Sequence, residues 1–95
     1  MKAFHLAPRD ARGNLIRPGS RVRVVGLPDL SAIRNVRSRR TVEAVFRHVK
    51  GQCKIVRCFS RYGFAEISFK IRRGRLAGWH AIEIEPNLLL LQKVR

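Results

Sequence analysis

"CKIVRCFSRYGFAEISFKI", residues Cys53 to Ile71, is the stretch on which the fold turns. In its second half Ala65, Ile67, Phe69 and Ile71 fall on one side, and Glu66, Ser68 and Lys70 on the other. That period-two alternation belongs to a strand with one wet face. The first half, "CKIVRCF", reads as the strand before it, and "SRYG" as the turn between them. Downstream, "RRGRLAG" reverses the chain and "WHAIEIE" gives a further strand with Ile82 and Ile84 inward. Pro86-Asn87 makes a corner, and "LLLLQKV" supplies a closing strand. Upstream, "DARGNLIRPGSRVRVVG" reads as a turn, a short extended piece, a second turn at Pro18-Gly19 and a strand. In that strand Val22 and Val24 oppose Arg21 and Arg23.

One segment breaks the period. In "TVEAVFRHVKG", Val42, Val45, Phe46 and Val49 recur at i, i+3, i+4 and i+7, the apolar face of a helix. Thr41 or Ser38 would cap its start, and Gly51 suits the position just past its end. Before it, "LPDLSAIRNVRSRR" reads as a long loop, residues 27–40. Residues 1–12 read as a flexible N-terminal arm, and 13–95 as the folded domain. The expectation is a mainly β fold: a small five-stranded antiparallel barrel with one short helix inserted after the first strand.

The entry "DARGNLIRPGSRVRVVG" resembles the first strand of SH3-like small barrels. KOW-type translation and transcription barrels start similarly, as do the barrels of small phosphonate-operon proteins. The stretch "VFRHVKGQCKIVRCFSRYGFAEISF" followed by "HAIEIEPNLLLL" is similar to a group of small, uncharacterised bacterial SH3-like proteins. The pattern there is a helix ending in glycine, a strand, a Tyr-Gly turn and an Ile-Glu-Pro corner before the last strand. Gly51, Tyr62-Gly63 and Ile84-Glu85-Pro86 stand at those places, so the resemblance covers about Asp10 to Gln92. It implies an SH3-like barrel. It implies no single function, because such barrels bind RNA, DNA, peptides and partner subunits.

Charge is the compositional outlier. Twenty-one Lys and Arg stand against six Asp and Glu, a net of +15, and sixteen of the cations are arginine. Between Arg34 and Arg75 there are thirteen cations and two acids, a net of +11, whereas the last twenty residues balance. Self-repulsion on this scale opposes the compact state and is relieved by a polyanion. Arginine is also the planar, bidentate fork for phosphate oxygens. A hydrophobic content of 45% indicates a globular chain. No apolar run approaches the length of a membrane span, and "MKAFHLAPRD" shows no leader pattern. With only Cys53 and Cys58 as cysteines, a reduced, cytoplasmic setting is expected.

Chemistry-bearing patterns are sparse. Cys53 and Cys58, with His48 and His80, match no zinc-ribbon spacing, so neither metal nor cofactor is expected. Glu83 and Glu85 share a strand face as solvated partners for nearby arginines, and His80 reads as a solvent-facing strand histidine. No nucleophile elbow, paired-carboxylate signature or P-loop is present, so the expectation is a non-enzyme without a small-molecule substrate.

What remains is the basic constellation. If the long loop and a later hairpin flank one groove, Arg34, Arg37, Arg39 and Arg40 form one wall and Arg72, Arg73 and Arg75 the other. Arg21 and Arg23 would then lie near its floor. Tyr62 and Trp79 would stack on unpaired bases, or pack in a turn or the core. RNA or DNA, held by its phosphates with little sequence preference, is the leading partner. An acidic protein, with this chain as its basic accessory subunit, is the alternative.

Overall fold

The computed structural model describes residues 5–93. In chain order the elements are β1 (Arg21–Val24), α1 (Val36–Val49), β2 (Cys53–Ile55), β3 (Cys58–Phe59), β4 (Ala65–Ile71), β5 (Gly78–Ile84) and β6 (Leu89–Leu91). A single 3-10 turn, Pro86–Leu88, forms the corner before β6. The strands make two three-stranded antiparallel sheets, in the orders β2-β1-β6 and β3-β4-β5. This is a mainly β fold with one helix. Among the described residues no helix is long and apolar enough to cross a membrane.

The alternations read from the sequence place the core. Val22 and Val24 are buried between exposed Arg21 and Arg23. Ala65, Ile67, Phe69 and Ile71 are all buried, and Ile82 and Ile84 meet them in register across the β4–β5 pair. Val45, Phe46 and Val49 of α1 cover this core, and Leu89 joins it from β6. Branched side chains dominate because they suit the pleated inner faces of both sheets.

Six strands are found where five were expected, because "CKIVRCF" is not continuous. Val56, fully buried, still belongs to the first sheet: its N–H donates to the Ser20 carbonyl, and its carbonyl accepts from Gly19 N. Arg57, the next residue, already belongs to the second, donating to the Glu66 carbonyl. Cys58 also sits opposite Glu66, so two residues oppose one and the chain bends as at a β-bulge. The strand is handed from one sheet to the other there.

The helix is the second correction. It begins at Val36, not near Thr41, and is capped by neither Thr41 nor Ser38. Asn35 is the cap, its Oδ1 accepting from Ser38 N at 3.0 Å. The last five residues of the expected loop, Val36 to Arg40, with three of its four arginines, are therefore the start of α1. At the other end Gly51 takes the left-handed conformation expected of it, φ +86°.

Of the expected arm, Met1 to Phe4 lie outside the described residues. Residues 6–12 are tied to the body: Leu6 N donates to the Tyr62 carbonyl and Ala11 N to the Leu89 carbonyl. Asp10, only 4% exposed, anchors the turn that follows. Its carboxylate accepts from Arg12 N and Asn14 N at 2.9 and 2.8 Å, and from Leu91 N at 2.7 Å.

Candidate nucleic-acid interface

Helix geometry sorts the arginines. Positions 37, 40, 41, 44 and 48 recur at three- and four-residue steps and form one flank of α1. Arg39 and Glu43 lie on the opposite flank, and the buried face of Val42, Val45, Phe46 and Val49 separates the two. The first flank looks toward the β4–β5 hairpin, whose turn is closed by Ala77 N donating to the Gly74 carbonyl. Between flank and hairpin lies a groove of about 650 Å³. Arg40, Thr41 and His48 line one side and Arg73, Arg75 and Leu76 the other, with Ala44 and Ile71 also in its lining. Among the described residues no carboxylate lines it.

The structure thus brings Arg40 to Arg73 and Arg75, more than thirty residues further along the chain. Arg37 continues the same helical flank one turn earlier, and Arg72 shares the hairpin; both are exposed. Arg34, also exposed, precedes the cap. Arg39 turns elsewhere: half-buried, its Nη1 reaches the Ile33 carbonyl at 3.5 Å. Arg21 and Arg23 do not form the floor. They lie on the outer face of the first sheet, where Arg23 donates to the Gly51 carbonyl at 3.2 Å. Strand alternation holds their side chains away from the core, and the groove floor is Ala44 and Ile71 instead.

The aromatics separate as well. Trp79 is 75% exposed, opposite Lys70 on the outer face of the second sheet and next to the arginine hairpin. Tyr62, also exposed, occupies the turn at the far end of β4, with the Arg61 guanidinium 5.5 Å from its ring centre. His48 is a titratable groove residue that was not among the expected site residues. Its signal was there in the spacing from Arg40 and Ala44, but only with the helix extended back to Val36.

Electrostatics at the start of α1 favour an anion. The first turn of α1 has no acid, and Arg37, Arg39 and Arg40 crowd the end where the helix dipole is positive. An anion there would relieve both conflicts.

Other expected chemistry resolves differently. His80 is not solvent-facing: it is half-buried, stacked on Phe69 with ring centres 5.8 Å apart. Its Nε2 lies 2.6 Å from the Leu76 carbonyl and therefore carries the proton. Glu83 and Glu85 form no ion pair with an arginine among the described residues; Arg57 reaches Glu66 instead, at 4.0 Å. Both cysteines are free thiols. The Cys58 thiol donates to the Glu66 carboxylate at 3.4 Å, which raises its pKa and makes it a poor nucleophile. No group of three or more metal-ligating side chains occurs among the described residues.

Comparison with known proteins finds no matching family model, curated protein or solved structure.

Proposed function

We propose that this chain is a small, non-enzymatic binding module that grips the phosphate backbone of RNA or DNA with little regard to sequence. The observation that carries the proposal is the acid-free groove in which Arg40, His48, Arg73 and Arg75 converge. Each phosphate neutralised there releases condensed counterions, and guanidinium forks suit phosphate oxygens. No helix is offered to a major groove as a reading head, because the arginine flank of α1 faces the hairpin. Trp79 beside that hairpin would add a stacking surface for an unpaired base.

The fold belongs to the same proposal as an SH3-like barrel. Support comes from β2 and β3: taken as one bent strand shared by both sheets, they reduce six strands to five, with α1 inserted after the first.

Fluorescence anisotropy with labelled single-stranded RNA, single-stranded DNA and duplex DNA tests the function, across salt from about 50 to 200 mM. Affinity is expected to fall steeply with salt. Changing Arg40, Arg73 and Arg75 together to Ser should make the log-log slope shallower by roughly 2–3, near 0.7–0.9 for each phosphate no longer neutralised. Arg21→Ser with Arg23→Ser, on the other sheet, should change it far less. No binding at the lowest salt overturns the proposal. The acidic-protein reading would then stand, with exposed Trp79 as the anchor to mutate first.

A further inference from the structure

A second groove, of opposite character, runs along the free edge of β5. Its walls are the loop at Pro28–Leu30, the Val42 and Phe46 side of α1, and the strand from His80 to Glu83, with a volume of about 490 Å³. Leu30, Val42 and Phe46 make it apolar, and among the described residues no Lys or Arg lines it. Asp29, Glu83 and Glu85 do. Half of the six acids in a chain of net charge +15 therefore gather at one groove.

The strand edge there is open. Ser60 N donates to the Phe64 carbonyl, which fixes the phase of the β3–β4 pairing. Phe64 and Glu66 thus turn their backbone groups toward β3, and Ala65, Ile67 and Phe69 turn theirs toward β5. Their partners Ile84, Ile82 and His80 complete that ladder. By the same alternation Ala81 and Glu83 point their N–H and C=O groups away from β4, into the groove. Among the described residues no strand lies beyond β5. In addition, Glu85 Oε2 is shut off from solvent yet has no hydrogen-bond partner among the described residues. A buried, unpaired carboxylate oxygen is costly, so a donor arriving at that end would be favoured.

We infer that this groove takes an extended peptide from a partner protein, in which apolar residues alternate with Lys or Arg, added as a further strand to the edge of β5. Its backbone pairs with Ala81 and Glu83, its apolar side chains enter between Leu30, Val42 and Phe46, and its cations meet Asp29, Glu83 and Glu85. About five residues suffice to run from Ala81 to Glu85 at roughly 3.3 Å per residue. Main-chain pairing supplies affinity and the alternate pockets supply selectivity. The opposite sign of the two grooves separates their ligands, although Thr41 borders both.

The test uses the full chain, isotope-labelled, and a fluorescein-tagged hexapeptide alternating Val and Lys. Two control peptides accompany it: the same sequence with Glu for Lys, and the Val-Lys peptide with alternate backbone amides methylated. The expected result is binding of the first with Kd below about 1 mM, with amide shifts and slowed hydrogen exchange at Ala81 and Glu83. The Glu and methylated peptides should bind at least about tenfold more weakly. Glu83→Gln with Glu85→Gln should weaken the Val-Lys peptide several-fold while the variant keeps the dispersed amide spectrum of the folded chain. Equal binding of all three peptides, no binding, or shifts confined to other residues would overturn the inference. So would slowed exchange at Ala81 and Glu83 that appears without peptide as protein concentration rises, since a second copy would then be the occupant.

Discussion

Asp10 shows how much one residue can hold. Burial alone would raise the pKa of its carboxyl, but the hydrogen bonds from Leu91, Asn14 and Arg12 N–H groups outweigh it and set the pKa below the usual 3.8. A depressed folded-state pKa means that the ionised form stabilises the fold above the unfolded-state value, near about 4. That contribution fades as pH falls through the folded value. Thermal melts from pH 7 down to about pH 2.5 should therefore show the chain losing stability on acidification, and Asp10→Asn should lack part of that loss. At pH 7, Asp10→Ala should cost about 2 kcal/mol, because several backbone donors lose a charged acceptor. None of this was legible in the sequence: the acceptor sits in what reads as an arm, and Leu91 is 81 positions away. Gly63 was legible as a turn residue, but not its second constraint. A Cβ on Gly63 would land on the Leu6 backbone, so Gly63→Ala should destabilise through both the left-handed φ of +91° and the clash.

At the scale of elements, strands were legible and the start of the helix was not. Alternation over Ala65–Ile71 and Ile82–Ile84 survives into the structure because each strand has one face on the core. The first turns of α1 carry no such stripe, since Val36 is exposed and Arg37, Ser38, Arg39 and Arg40 follow it. Periodicity is silent there, and the helix is set by local terms: the Asn35 cap and the good intrinsic propensity of arginine. Denaturant titration should find Asn35→Ala less stable by about 1 kcal/mol. Arg37→Glu should do the opposite, stabilising by about 0.3–1 kcal/mol because an acid in the first turn agrees with the helix dipole. The same Arg37→Glu should weaken nucleic-acid binding. A residue whose removal stabilises the fold while reducing binding marks a cost carried for a ligand.

For the whole molecule, net charge sets the response to ions. At +15 the folded chain repels itself, so its melting temperature should rise as NaCl screens that repulsion, and further with a polyanion such as heparin at the same ionic strength. A melting temperature insensitive to both would contradict a surface poised for anions. Composition made this scale the most legible, and it also hid something. Six acids among so many cations read as scattered counter-charges, yet three line the β5 groove, which no count could reveal. Likewise the sequence could propose that one arginine cluster meets another, but not which members. Helix phase directs Arg40 to the hairpin and Arg39 away, and strand phase removes Arg21 and Arg23.

The order β2-β1-β6 has a consequence in time. The second sheet is built from neighbours in the chain, so its hairpins close over short loops, whereas β1 must find β6, with Val22 opposite Leu91. Contacts of such separation form late because the loop between them must be closed first. The β3-β4-β5 sheet, which carries the arginine hairpin and the open β5 edge, should thus be the early nucleus. Substitutions there should slow folding, and those in β6 should mainly speed unfolding.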